Sequence, residues 1–149
     1  MADRTESSVV VQAPPARVLA VIADFEAYPD WTGAVKHAEV VQTAGDGTAE
    51  QVRFVLDAGA IKDTYTLAYT WDVAKTGTGV VSWELVEAET VLKALDGSYV
   101  LEGTKQGPTT VTYQLTVDVR IPMLGMLKRK AEKSIISTAL QELKKRAED

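Results

Sequence analysis

Strict alternation over residues 110–120 constrains this chain more than any other feature in it. In TVTYQLTVDVR, Val111, Tyr113, Leu115, Val117 and Val119 fall on one face and Thr110, Thr112, Gln114, Thr116, Asp118 and Arg120 on the other. TYTLAYTWD repeats the pattern, with Tyr65, Leu67, Tyr69 and Trp71 opposite Thr64, Thr66, Thr70 and Asp72. Side chains of an extended strand point to opposite sides in turn, so a period of two marks a sheet with one face covered and one wet. Such a sheet needs a cover, and the last segment supplies one. After Pro122, Met123, Leu127, Ala131, Ile135, Ala139 and Leu143 recur every four residues, with Leu124, Ile136 and Leu140 widening the stripe. Lys128, Arg129, Glu132, Lys133, Glu142, Lys144 and Lys145 fall mostly on the other side, as in a helix lying on a sheet with its back in water. The pattern is consistent with about 25 residues of helix, roughly 37 Å long.

The rest of the chain fits around these two elements. Residues 7–12 are β-branched and short, and read as a strand closed by Ala13-Pro14-Pro15. Val18, Val21, Ile22 and Phe25 then recur at helical spacing until Pro29, which is expected to break the helix. A short second helical turn is expected over 31–35. Strand-like runs follow at 35–43, 50–57, 64–73, 79–87, 90–95, 97–102 and 109–120, many separated by glycine-rich turns such as GDGT and KTGTG. Asp96-Gly97 between two apolar runs reads as a hairpin turn. Connections this short favour antiparallel neighbours. No repeat or linker is visible, and 149 residues suit one domain covering the whole chain.

This order, with VVVQAPPARVLAVIADFEAYPDW at the front, VSWELVEAE and GSYVLEG in the middle and VTYQLTVDVRIPMLGMLKRKAEKSII at the end, resembles the START-like or Bet v 1-like (SRPBCC) superfamily. It is most similar to the bacterial polyketide cyclase/dehydrase branch and, more distantly, to coenzyme-Q-binding START-domain proteins. The resemblance implies an α+β helix-grip fold: a curved antiparallel sheet wrapped around a long C-terminal helix, with one or two short helices after the first strand. It also implies a space for an apolar ligand between sheet and helix, for which the usual range is roughly 300–1,000 Å³.

Seen in that fold, the aromatic face has two readings. Tyr65, Leu67, Tyr69, Trp71, Trp83, Tyr99 and Tyr113 on the strands, with Leu127 and Ile135 on the helix, form either plain core or the wall of a ligand site. FEAYPDW, residues 25–31, holds three of the chain's ten aromatics. There Phe25 and Trp31 act as apolar plugs, or Tyr28 or Trp31 forms a rim that touches ligand. In VRFVLDA either Val52, Phe54 and Leu56 face inward, or Arg53, Val55 and Asp57 do.

Groups suited to chemistry are scarce. His37 is the single histidine and is expected to face water; Glu84 is expected to be solvated and Asp63 to serve a turn. There is no HExxH, no histidine pair and no DxDxDG loop, so no metal site or other cofactor is expected. Absence of cysteine excludes disulfides and thiolate chemistry. A net charge of −5 with no clustered basic face argues against nucleic acid, and weakens a role as an interaction module on the ribosome. No apolar run approaches the roughly 20 residues of a membrane span. The N-terminus has no apolar h-region, so a cytoplasmic protein is expected, with no oligomeric state assigned. The leading expectation is a binder of an apolar small molecule (lipid, polyketide-like or quinone-like). The alternative is a polyketide cyclase/dehydratase acting on a poly-β-keto chain in the same space, with no catalytic residue assigned.

Overall fold

A computed structural model describes residues 5–59, 61–120 and 125–149, with side chains at all of these except 125–128. The element order is β1 (Thr5–Val11), α1 (Pro15–Ala23), a 3-10 turn (Phe25–Ala27), α2 (Tyr28–Trp31), β2 (Val35–Thr43), β3 (Ala49–Asp57), β4 (Lys62–Val73), β5 (Gly79–Ala88), β6 (Leu92–Gly103), β7 (Thr109–Val119) and α3 (Gly125–Glu148). All seven strands join one antiparallel sheet in the order β1-β7-β6-β5-β4-β3-β2. β1 closes the sheet beside β7 because the connection from β1 to β2 runs through the short helices, while every later strand follows its predecessor. Register shifts in β2, between Thr66 and Leu67, and between Leu92 and Ala94 let the long strands bend. The curved sheet and the long C-terminal helix form the helix-grip arrangement.

The core lies between the concave face and the helices. Val111, Tyr113, Leu115 and Val117 of β7 are buried, as the alternation requires, and so are Val52, Phe54 and Leu56 of β3. Arg53 is exposed and pairs with Glu89 at 2.8 Å, which settles the phase of VRFVLDA.

Four local expectations change. α1 ends at Ala23, and Pro29 starts a turn instead of breaking one: it occupies the first turn of α2, where a missing N–H costs no helical hydrogen bond. The second helical turn is therefore Tyr28–Trp31, not 31–35. Asp96-Gly97 is no hairpin; it lies inside β6, which runs unbroken from Leu92 to Gly103. Gly97 pairs with Trp83 across the sheet, and a Cβ there would come within 2.9 Å of the indole and meet the Gln114 carbonyl oxygen. Close approach of neighbours, not turn geometry, calls for glycine. The centre of the α3 stripe is also shifted by about one residue. Glu132, Ile136, Leu140, Leu143 and Ala147 are buried, whereas Ala131, Ile135 and Ala139 are half-buried. Met123, Leu124 and Leu127 lie outside the described residues or side chains.

Glu132 was expected to face water with the other charges of the helix, yet its side chain is 0% exposed. It is tied at both oxygens: Thr5 Oγ1 donates to Oε1 at 2.8 Å, and the Val117 N–H donates to Oε2 at 2.7 Å. A buried carboxylate persists where donors reach it, and these two come from the strands on which α3 lies.

Asp63 is the second buried acid and does far more than serve a turn. Its Oδ1 accepts from the N–H groups of Thr64, Glu89 and Thr90 and from the Thr90 hydroxyl, and its Oδ2 from the N–H groups of Val91 and Leu92, all at 2.8–3.2 Å. Burial alone would push this carboxyl up. The Leu92 and Val91 N–H groups, then the Thr90 hydroxyl and N–H, outweigh burial and hold it at about 2. One side chain at the start of β4 thereby fixes the whole β5–β6 connection.

Candidate functional site

Between the concave face and α3 lies a hollow of about 380 Å³. Every strand from β3 to β7 sends residues to its wall, α2 and the turn after it form one side, and α3 closes the top. Of the residues singled out from the sequence, Trp31, Tyr65, Leu67, Tyr69, Trp83, Tyr99, Tyr113 and Ile135 line it. Trp71 does not. Its ring stacks on Tyr69 with centroids 5.7 Å apart, and its Nε1–H donates to the Ala49 carbonyl at 2.7 Å, so it stands behind the wall. The Leu127 side chain lies outside the described residues.

FEAYPDW divides between its two readings. Phe25 is 1% exposed and packs edge-on to Tyr69 at 4.8 Å, so it plugs the core beneath the wall. Tyr28 and Trp31 line the hollow, their rings 4.9 Å apart in a T-shaped pair. The Tyr28 hydroxyl donates to the Ile22 carbonyl at 2.5 Å, which anchors its ring. Trp31 is half-buried and also borders a smaller polar cleft formed with Arg17, Asp24 and Arg146.

The interior of the hollow is lined mostly by aromatic rings. Trp83, Tyr99 and Tyr113 form a mutually packed cluster with centroids 4.7–5.6 Å apart, and Tyr65 stacks on Phe54 at 5.5 Å. Tyr65, Tyr99 and Tyr113 are only 5–7% exposed. Among the described residues, the hydroxyls of Tyr65, Tyr69, Tyr99 and Tyr113 have no hydrogen-bond partner, and none of them is a sealed, unsatisfied atom. They border the free space itself. Burial is the main cause that pushes all four above the ordinary phenol range, so each is a neutral O–H donor near pH 7.

The mouth is different. Half-buried Asp57 and Glu142, with exposed Ser134 and Thr138, line its open end. Thr32 Oγ1 donates to Glu142 Oε1 at 2.9 Å and the Gly33 N–H to Oε2 at 3.2 Å, so one carboxylate ties the turn after α2 to α3. Asp57 accepts from the Gly59 N–H and lies 3.8 Å from Lys62 Nζ. Sequence reasoning missed this rim. Glu142 was placed on the wet side of α3, and its spacing from Ile135 and Thr138 is the one signal that puts it beside the hollow. His37 and Glu84 are exposed and take no part. Among the described residues no group of three or more potential ligands stands ready for a metal ion.

Solved structures of the same shape are numerous. A START superfamily protein from Mycobacterium smegmatis superposes with TM-score 0.86 at 20% identity, over 97% of this chain and 97% of that one. A STAR-related lipid transfer protein fragment from Xanthomonas axonopodis gives 0.77 at 17%, over 98% of this chain and 86% of that one. The Zhui aromatase/cyclase from Streptomyces sp. R1128 gives 0.75 at 17%, over 99% and 94%. Likeness at these identities is one of fold. Comparison of the sequence with curated proteins gives no match. Residues 11–144 match a family model described as polyketide cyclase / dehydrase and lipid transport, and the chain belongs to that family.

Proposed function

We propose that the chain is one START-like domain that binds an apolar small molecule carrying oxygen acceptors, lipid, polyketide-like or quinone-like, in the hollow between sheet and helix. One observation carries this reading: four tyrosine hydroxyls border an aromatic-walled space without a partner of their own. Buried polar atoms in folded proteins are nearly always hydrogen-bonded. A set that converges on one space, bonded to water while the space is free, suits a ligand that brings oxygen acceptors in place of that water. A ligand with carbonyl or hydroxyl oxygens would accept those bonds while its rings replace the missing apolar contacts. The volume falls in the usual range for small-molecule sites, roughly 300–1,000 Å³.

Menadione, a neutral naphthoquinone, is a suitable probe, and tryptophan emission reports its arrival because Trp31 and Trp83 stand in the wall. Saturable quenching is expected, with the affinity altered by Trp31→Phe and weakened by Ile135→Trp, which narrows the space. No saturable quenching, or quenching unaffected by Ile135→Trp, would overturn the reading.

The same hydroxyls favour a second reading, a cyclase/dehydratase in which a tyrosine donates to a carbonyl of a poly-β-keto chain as charge develops on it. It is separated from the first by Tyr65→Phe or Tyr113→Phe, which would abolish turnover while weakening binding only by about the few-fold that one neutral hydrogen bond is worth.

A further inference from the structure

We propose that Glu142 makes the hollow selective for neutral or cationic ligands and rejects anionic ones, so that the ligand class excludes free fatty acids and other carboxylates. This rests on reading the hollow as a ligand site and adds the charge of its occupant. The wall contains no lysine, arginine or histidine among the described residues. An anionic group carried to the interior would leave water for neutral phenol donors alone, with no cation to offset the loss. An anionic group left at the mouth would face Glu142.

Glu142 differs from Asp57, the other acid of the mouth, in having no ion-pair partner among the described residues. Its two oxygens are held by a hydroxyl and a backbone N–H, both neutral, and among the described residues no cation pairs with it. Those two bonds fix the carboxylate in place at the rim, half-buried, where solvent screens it less than a free surface acid. Asp57 is paired with Lys62, which reduces its effect. Lys36 also lies near, its Nζ donating to the Gly33 carbonyl at 2.8 Å, but it is exposed and outside the wall. Polarity therefore changes along the hollow, with O–H donors inside and a carboxylate acceptor at the entrance. A ligand that suits both ends places its oxygen acceptors deep and a donor or cationic group at the mouth.

The test compares N-phenyl-1-naphthylamine with 1-anilinonaphthalene-8-sulfonate, dyes that share one apolar body and differ by a sulfonate, each titrated at low salt and displaced by menadione. The neutral dye is expected to bind about ten-fold more tightly than the anionic one in the hollow. High salt on the native protein, or Glu142→Gln, which keeps an acceptor oxygen for Thr32, should narrow that ratio to about three-fold or less. Equal menadione-displaceable binding of both dyes, or a ratio that persists in Glu142→Gln and in high salt, would overturn the charge selection while leaving the hollow a ligand site. Failure of either dye and of menadione to bind the folded protein would remove the underlying reading and this inference with it.

Discussion

Asp63 and the tyrosines of the hollow are all polar groups of the interior, buried or half-buried, and their hydrogen bonding is opposite. Asp63 gathers six donors onto two oxygens. Tyr65, Tyr69, Tyr99 and Tyr113 gather none among the described residues. A polar group satisfied from within the fold stabilises the fold; one that opens into free space is available to something outside it. Tyr28 marks the boundary, since it lines the hollow and yet donates to the Ile22 carbonyl. Scaffold and site in this protein thus differ less in residue type than in where the hydrogen bonds end.

This comparison breaks most readily at Asp63. Asp63→Ala strands several N–H groups of the β5–β6 connection and should cost about 3–5 kcal/mol in chemical unfolding. A loss below about 1 kcal/mol would show that water replaces the carboxylate freely. Leu143, 0% exposed on α3, is the apolar counterpart, and Leu143→Ala should cost about 2–5 kcal/mol. Ile135→Ala, at the edge of the hollow, should cost less than about 2 kcal/mol, because that side chain already borders empty space. Equal losses at the two positions would mean that the hollow is filled by repacking.

Acid sharpens the same contrast. The folded Asp63 carboxyl is held at about 2, below the ordinary aspartate value of 3.8. A depressed folded value contributes stability that is complete above the unfolded value and is lost as pH falls toward the folded one. This group should therefore account for about 2 kcal/mol, disappearing between roughly pH 5 and pH 2. The stability difference between the native protein and Asp63→Asn, followed over that window, should shrink by about this amount; a constant difference would contradict the hydrogen-bond origin of the shift. Among the tyrosines the effects are smaller. Tyr28→Phe loses one bond to a buried carbonyl and should cost about 1 kcal/mol. Tyr99→Phe removes a hydroxyl with no partner and should change stability by no more than about 0.5 kcal/mol.

What was legible in the sequence was what local periodicity encodes. Alternation in β4 and β7 placed Tyr65, Leu67 and Tyr113 on the covered face, and a four-residue repeat placed α3 upon it. Features set by distant partners were not legible. Asp63 takes most of its donors from residues 26–29 positions away, and Glu132 takes one from Thr5, 127 positions away. Nothing near either acid announces burial. Gly97 was misread for the same reason, since the glycine answers to Trp83 and Gln114 on neighbouring strands and not to its own turn. Trp71 follows the strand period faithfully, yet Tyr69 stands between it and the hollow. Which members of an inward face reach a space depends on the curvature of the sheet, and alternation carries no information about curvature.

The central claim, that the hydroxyls of the hollow are reserved for a ligand, is tested most directly by one paired measurement on Tyr99→Phe/Tyr113→Phe: unfolding free energy and menadione affinity, each against the native protein. Two lost neutral hydrogen bonds should weaken binding by about ten-fold or more. Stability should stay within about 1 kcal/mol, because no bond within the fold is removed. Loss of stability with affinity unchanged would show that these hydroxyls belong to the scaffold, as Asp63 does, and would contradict the account.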